Sequence, residues 1–214
     1  MRIVILGANG QVGKVLAGEA LSRGHMVLGV TRQTRPTVLD HGRAFHVRGD
    51  ARSPELARAV ASRADVVINA LRPPEGQESD LVPLTMAIHR ACADLGVRLV
   101  VSGGAACLRA DDRADAPRVI DTHHVQAAWR AIAQASADQW DALMAADPVG
   151  NWVYIAPPAS LIDGPRFGAV RKSADVLVTD GEGRSRLSWA DYCALIMEEV
   201  EAPSGHRRLT GGYS

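Results

Sequence analysis

The feature of this sequence that most restricts its fold is an alternation of short aliphatic runs with helix-like segments. Five runs with the composition of buried strands occur within about the first hundred residues: RIVILG, HMVLGVTR, AFHVRGD, ADVVINAL and VRLVVSGG. Strands that are separated by helices form right-handed βαβ crossovers and therefore a parallel sheet. The sequence thus predicts an α/β fold in which helices cover both faces of a doubly wound parallel sheet.

Local signals place the helices between these runs. We expect one helix from Gln11 to Arg23, which Gly24 ends. A second helix is expected over residues 53–63, with a serine N-cap followed by proline. The third has apolar residues at helical spacing from Leu81 to Leu95 and stops at Gly96.

The second half of the chain has a less regular pattern. A long helix is expected from about Asp121 to Ala146, followed by a sixth strand, NWVYIAP, and a loop over residues 163–168. After that come a hairpin through DGEGR, a helix that begins at Ser188, and a last short strand within RRLTGGY.

Composition limits the classes of function. The 214 residues suit one domain, with a core over about residues 1–156 and a small substrate-side part over about residues 157–214. The formal net charge is zero, so there is no electrostatic case for binding nucleic acid. The three cysteines match no metal-binding spacing. Because the sequence has neither a basic leader nor an apolar stretch of membrane-spanning length, we expect a cytoplasmic monomer or homodimer that acts on a small molecule.

Three glycines, Gly7, Gly10 and Gly13, follow the first strand at once. In a strand–turn–helix unit, one glycine permits the tight turn, another lets a pyrophosphate reach the backbone, and the third lets the helix pack on the strand. The helix N-terminus adds free N–H groups and a partial positive charge. We therefore predict a dinucleotide site whose pyrophosphate contacts the turn Gly7, Ala8, Asn9, Gly10, Gln11, Val12 and Gly13.

The end of the second strand distinguishes the two nicotinamide cofactors. A carboxylate there binds the ribose 2′-hydroxyl of NAD(H), whereas an arginine accommodates the 2′-phosphate of NADP(H). This sequence has Arg32, with Arg35 close behind and no carboxylate before Asp40. It favours NADP(H) through Arg32, while NAD(H) stays possible.

Together these segments resemble the atypical short-chain dehydrogenase/reductases, with a Rossmann-like fold. GANGQVG is similar to the glycine turn of that family, and RGDARSPE to its third-strand Gly-Asp. The resemblance implies that Asp50 and Ala51 border the adenine, and that Asn69, Ala70 and Leu71 border its ribose. LVVSGGAACL, NWVYIAPPASLIDGPRFGAVR and LVTDGEGRSRLSWADYCALIMEEVE resemble the NADH-flavin reductase-like branch, which implies reduction of a flavin.

The sequence departs from the wider superfamily in its catalytic residues. Typical members use a Tyr-x-x-x-Lys pair as proton donor, but neither Lys14 nor Lys172 lies four residues after a tyrosine. A flavin or quinone needs no protein acid, since its conjugated ring holds the charge until water protonates it. The predicted function is therefore hydride transfer from NAD(P)H to a flavin, which is a substrate and not a bound prosthetic group, chiefly by aligning two rings.

Ligands of open α/β sheets lie beyond the carboxyl ends of the strands. Ser102 and Gly103 end the fifth strand, where Ser102 is a candidate to position nicotinamide or substrate and equally a candidate to satisfy backbone groups. The resemblance places Pro157 and Pro158 beside the nicotinamide. His123 and His124 open the predicted long helix, where we expect solvated side chains in the first turn, and a role as proton donors, for which at most one would face inward, stays open.

The two tryptophans of the predicted long helix and the missing catalytic pair each allow a further interpretation. Trp129 and Trp140, at helical spacing, are expected in the core or at a dimer surface and not at a flavin-stacking face. The missing catalytic pair also leaves open a non-catalytic NADP(H)-binding sensor that regulates a partner. Sugar-nucleotide epimerase or dehydratase activity is disfavoured, because those reactions need an acid–base tyrosine.

Overall fold

The computed structural model describes residues 1–33 and 39–214, so Arg35 lies outside the described residues. Its strands are β1 (Arg2–Leu6), β2 (Met26–Thr31), β3 (Ala44–Arg48), β4 (Val66–Asn69), β5 (Arg98–Ser102), β6 (Trp152–Ala156), β7 (Ser160–Ile162), β8 (Arg171–Ser173), β9 (Arg186–Ser188) and β10 (Arg208–Gly212). The main sheet has the order β3-β2-β1-β4-β5-β6-β10-β8. Its strands are parallel except β8, which runs antiparallel to β10. The predicted doubly wound parallel sheet is confirmed.

Helices cover both faces of this sheet. They are α1 (Gln11–Ser22), α2 (Pro54–Ala61), α3 (Leu81–Leu95), α4 (Arg130–Ala146) and α5 (Trp189–Glu201). Side chains alternate across a strand, and β1 shows the consequence: Ile3 and Ile5 pack into the core layer with α1 and α5, whereas Val4 and Leu6 pack into the layer with α2, α3 and α4. Burial on both faces explains why the central strands β1, β4 and β5 are almost continuously aliphatic.

The first half of the chain follows its local signals closely. Ser53 is the N-cap of α2, its hydroxyl accepting the N–H of Leu56 at 3.1 Å, and proline occupies the first turn. Gly24 and Gly96 have φ angles of 88° and 67°, in the left-handed region that ends helices. The predicted helices and strands up to residue 102 are confirmed.

The residues after 156 contribute to two different parts of the molecule. β7 and β9 pair in a separate two-stranded sheet. By contrast, α5 packs with α1 in the main core, and β10 inserts between β6 and β8. Within residues 1–33 and 39–214, no helix combines the length and the apolar character needed to cross a bilayer.

The predicted start of the long helix at Asp121 is wrong, because α4 begins only at Arg130. In the preceding segment, the hydroxyl of Thr122 donates to the carbonyl of Val119 at 2.8 Å and accepts the N–H of His124 at 3.3 Å. Such local side-chain bonds compete with helical backbone bonds. His123 and His124 therefore lie in a loop, with their rings 4.3 Å apart, and do not open the helix.

The predicted hairpin through DGEGR is also wrong. The chain does turn there, because the carboxylate of Asp180 accepts the N–H groups of Glu182 and Arg184 at 3.0 and 2.9 Å. The strands on either side pair elsewhere, β8 with β10 and β9 with β7. A turn closed by its own aspartate needs no ladder between its arms.

Candidate cofactor and substrate site

A cavity of about 780 Å³ lies at the carboxyl ends of the parallel strands. Its walls come from the segments that follow β1, β2, β3, β4, β5 and β6, together with the residues around the start of α4. Open parallel sheets bind ligands in this position, and the volume lies within the range of small-molecule sites.

The glycine turn forms one wall of the cavity. Gly7 has a φ of 83°, and a Cβ atom there would lie 2.7 Å from the carbonyl oxygen of Ala70. A Cβ on Gly13 would lie 2.1 Å from the carbonyl oxygen of Gly7. Both glycines are therefore required by backbone contacts: the first seats β1 against the loop after β4, and the second seats α1 against the turn.

The N-terminus of α1 carries no cap of its own. Gly10 is the N-cap residue, and the first turn contains no acidic side chain. Among the described residues, the N–H groups of Asn9, Gln11 and Val12 have no hydrogen-bond partner, and all three residues line the cavity. Unsatisfied amides and the helix dipole make such a terminus a site for an anion, so the turn fits the pyrophosphate of a dinucleotide.

Charged side chains line the end of the cavity that adjoins the carboxyl ends of β2 and β3. Arg52 donates to both carboxylate oxygens of Asp50, and these bonds hold the pKa of Asp50 below its usual value. Arg32 also lines the cavity, and its guanidinium has no hydrogen bond or salt bridge to any described residue. One arginine here is thus neutralised by the protein, and the other is available to an anionic ligand.

Ser102 belongs to a short hydrogen-bond chain at the middle of the site. Its Oγ lies 2.9 Å from the hydroxyl of Tyr192, which donates to the carbonyl oxygen of Ile155 at 2.9 Å. Because a tyrosine hydroxyl has one proton, both bonds form together only if Ser102 donates to Tyr192. Ser102 then presents lone pairs, and no proton, to a ligand in the cavity. Burial raises the pKa of Tyr192, so that the hydroxyl stays protonated.

A second hydrogen-bond chain, most of it buried, supports the loop after β5. The hydroxyl of Tyr154 accepts the N–H of Gly104 at 2.9 Å and lies 3.2 Å from Oε1 of Gln139. Nε2 of Gln139 and Nδ2 of Asn69 both donate to the hydroxyl of Thr85, at 2.7 and 3.1 Å. Oδ1 of Asn69 in turn accepts the N–H of Leu71. The loops after β4 and β5 are therefore tied together through α3 and α4.

Most of the predicted site residues surround one cavity. Those that line it are Gly7, Asn9, Gly10, Gln11, Val12, Arg32, Asp50, Ala51, Ala70, Leu71, Ser102, Gly103, Pro157 and Pro158. Ala8, Gly13 and Asn69 are buried behind this surface, where they support it. Tyr192 and Gln139 could not be predicted from the sequence, since nothing in the local pattern shows that they reach strand ends distant in the chain.

Part of the cavity wall comes from segments far from the predicted cofactor residues. Trp129, His124 and Arg72 line this part, together with apolar residues of α3 and of the first turn of α4. Burial, and then the neighbouring His123, lowers the pKa of His124. Trp129 does not lie in the core, because it is exposed at the cavity, whereas a place at a dimer surface stays a prediction. Trp140, by contrast, packs edge-on against Trp152 and Tyr154, as expected of a core residue.

Comparison with known proteins agrees with this geometry. Residues 7–199 match the model of the NAD(P)H-binding family, and the chain belongs to that family. It is 29% identical to the uncharacterized protein YwnB of Bacillus subtilis over 95% of this chain and 93% of the relative. A solved structure from Streptococcus pneumoniae, provisionally described as an NADH-flavin reductase, is 25% identical with a TM-score of 0.88, covering 100% of both chains. Another, from Bacteroides thetaiotaomicron and provisionally described as an epimerase, is 29% identical with a TM-score of 0.90, covering 99% and 96%.

These findings confirm the predicted Rossmann-like fold and show that the chain is a member of the NAD(P)H-binding family. The resemblance to the NADH-flavin reductase-like branch is confirmed by the likeness to the Streptococcus pneumoniae structure. Within the described ranges, no group of three or more histidine, cysteine or acidic side chains is arranged to hold a metal ion.

Proposed function

We propose that this protein transfers hydride from NADPH to a flavin or a similar conjugated acceptor. The observation that carries the proposal is a single cavity that extends from the uncapped glycine turn, past Ser102, to a part lined by an exposed tryptophan. Such a cavity suits a dinucleotide and a second planar molecule side by side. The name of the Streptococcus pneumoniae relative supports the same reaction.

Each part of the cavity has a role in this proposal. The amides of Gln11 and Val12 bind the pyrophosphate, and the loop after β3, including Asp50 and Ala51, borders the adenine. Ser102 accepts a hydrogen bond from the carboxamide of the nicotinamide, because its own proton is directed to Tyr192. When bound, NADPH supplies the hydride that reduces the acceptor.

The tyrosine contacts favour an acceptor that needs no proton from the protein. Tyr154 is bound to Gly104 and Gln139, Tyr192 to Ile155 and Ser102, and Tyr213 to Asp191. The ammonium group of Lys172 pairs with Glu198 and not with a tyrosine. Catalysis then consists mainly of orienting two rings, which suffices for a flavin or a quinone and not for a simple ketone.

A preference for NADPH follows from the charges at the adenine end. Asp50 is held by Arg52 and is poorly placed to bind a ribose hydroxyl, whereas the guanidinium of Arg32 has no such partner among the described residues. A 2′-phosphate would give Arg32 a charge-assisted contact. We also propose that residues 1–214 act as one unit, since α5 and β10 belong to the same core as β1.

Turnover is tested by following the absorbance of NADPH on addition of FMN, riboflavin or menadione. We expect oxidation of NADPH with each acceptor and no tightly bound flavin in the purified protein. Tight binding of NADPH without oxidation in the presence of any acceptor would contradict the proposal and support the sensor alternative.

The role of Arg32 is tested by Arg32→Gln with Arg63→Gln as the matched control, because Arg63 is an exposed arginine outside the cavity. We expect the KM for NADPH to rise about tenfold in Arg32→Gln, the loss of about one charge-assisted contact. The KM for NADH should change by less than about twofold, and Arg63→Gln should leave both constants unchanged. Equal effects on the two cofactors would contradict a 2′-phosphate contact.

A further inference from the structure

Trp129 is an unusual surface residue in this molecule. Its side chain is 54% exposed, and it alone among the exposed large hydrophobic residues of the described ranges lines the cavity. A tryptophan is costly to leave in water, and an exposed aromatic in a concave site commonly marks a ligand contact. The turn that carries it is fixed, because Arg130, the next residue, donates to the carbonyl oxygen of Ile120 at 2.8 Å.

Arg72 is the partner of this ring. The guanidinium lies 5.1 Å from the centroid of Trp129, and this stacking is its one interaction recorded among the described residues. The two carboxylates of the cavity wall, Asp50 and Asp80, lie against Arg52 instead. Arg72 therefore holds a positive charge at the cavity that no carboxylate within residues 1–33 and 39–214 neutralises.

An exposed stacking contact of this kind is weak, on the order of 1 kcal/mol. A ligand that stacks on the indole and offers an anion to the guanidinium would replace that contact by two stronger ones. Guanidinium binds phosphate through paired, charge-assisted hydrogen bonds. The combination selects a molecule that has both a flat conjugated ring and a phosphate group.

We infer that Trp129 and Arg72 form the acceptor site and that they select a phosphorylated flavin over an uncharged one. Trp129 stacks on the isoalloxazine ring, and Arg72 binds the phosphate. This inference rests on the proposed function, because it assigns the acceptor of that reaction. The inference goes beyond the proposed function because it gives the acceptor a negative charge and names the two side chains that recognise the acceptor.

FMN and riboflavin test the inference directly, since they share one ring and differ by one phosphate. Their dissociation constants are measured by quenching of flavin fluorescence with NADP⁺ present, and their kcat and KM by NADPH oxidation. We expect wild-type protein to bind FMN about tenfold more tightly than riboflavin, and Arg72→Gln to reduce that ratio to about one. Trp129→Ala should weaken both flavins about tenfold, with Trp129→Phe restoring most of the affinity.

Arg63→Gln is the matched control, because it removes the same charge from a surface outside the cavity. Equal affinity of the wild type for the two flavins would overturn the inference, and so would an FMN preference that survives in Arg72→Gln. If such a protein still oxidised NADPH with riboflavin, the proposed function would stand. Conversely, Arg72-dependent binding of FMN without NADPH oxidation would support the site and contradict the proposed function.

Discussion

The helices α1 and α5 pack side by side on one face of the sheet, but their N-termini are built in opposite ways. The first turn of α1 has a glycine cap, no acidic residue and free amides that face the cavity. The first turn of α5 has a serine cap, and the carboxylate of Asp191 lies within it, 1% exposed. That carboxylate accepts bonds from Tyr213 and from the N–H groups of Phe167 and Gly168.

The difference shows two ways to satisfy the same helix dipole. At α5 the chain supplies its own anion, which anchors the loop over residues 163–168 and contributes to stability. At α1 the chain supplies none, and under the proposed function the anion comes from the cofactor, so that the helix contributes to binding instead. A helix terminus can therefore serve the fold or the ligand according to whether the chain fills it.

The largest expected effect comes from giving α1 an anion of its own. Gly10 has φ −71° and ψ 170°, a conformation in which aspartate is a good N-cap. In Gly10→Asp we expect the affinity for NADPH to fall about a thousandfold, or about 4 kcal/mol, because the carboxylate competes with the pyrophosphate. The stability of the cofactor-free protein should change by less than about 1 kcal/mol.

Isothermal titration with NADPH and thermal unfolding without it check the two halves of this prediction. Gly10→Asn is the control, since it has nearly the same shape without the charge and should lose much less affinity. Wild-type affinity in Gly10→Asp would show that the pyrophosphate binds somewhere other than this turn.

Removing the anion from α5 should have the next largest effect, and on stability. In Asp191→Asn an amide NH₂ replaces one accepting oxygen and opposes donors that now point at it. We expect a loss of about 2–3 kcal/mol, or roughly 4–12 °C in Tm. The affinity for NADPH should stay within about twofold of the wild type, because Asp191 does not line the cavity.

The pH dependence of stability distinguishes the loss of an ionised carboxylate at position 191 from a general loss of packing. Burial by itself would raise the pKa of Asp191, but the hydrogen bonds from Tyr213, Phe167, Gly168 and Ser188 outweigh it and lower the pKa. The stabilisation is therefore complete above the ordinary aspartate pKa of about 4 and is lost as the pH falls below it toward the folded value. In that range the stability of Asp191→Asn should depend less steeply on pH than that of the wild type. Identical slopes would argue against an ionised Asp191.

The smallest effect on stability is expected at α2, because its serine N-cap contacts neither the cavity nor a distant loop. Ser53→Ala removes the bond to the N–H of Leu56 and should cost about 1 kcal/mol, or roughly 2–4 °C in Tm. Thermal unfolding measures it, and Ser53→Asp should retain most of the stability. A loss as large as that of Asp191→Asn would mean that the long-range bonds of Asp191 add nothing to a simple cap.

The sequence predicts the first hundred residues well because their signals are local. Strand composition, the serine N-cap and the positive-φ glycines each act within one turn of chain, and the parallel order follows from connectivity. The start of α4 depends on the side-chain bonds of Thr122, and the turn before β9 depends on those of Asp180, and a periodicity argument does not contain such bonds. The pairing of β8 with β10 and of β9 with β7 depends on contacts between segments that are distant in the chain.

The residues of the candidate site likewise differ in whether a local sequence signal predicts them. The glycine turn and Arg32 are readable because each belongs to one strand end. Gln139 and Tyr192 belong to helices whose residues are 54 and 90 positions from the groups they bind, Thr85 and Ser102. The helix predicted from about Asp121 runs through Trp129 and so favours the core or a dimer surface for this residue, and the wrong boundary thereby concealed a cavity residue.

The position of β10 has a consequence for synthesis of the protein. Its residues, 208–212, pair with β6 on one side and β8 on the other, so the sheet stays incomplete until residue 212 has left the ribosome. Until then the edge of β6 offers unpaired backbone groups to other nascent chains, a known route to aggregation. Slower translation of the codons between β6 and β10 would lengthen that exposure and increase dependence on chaperones.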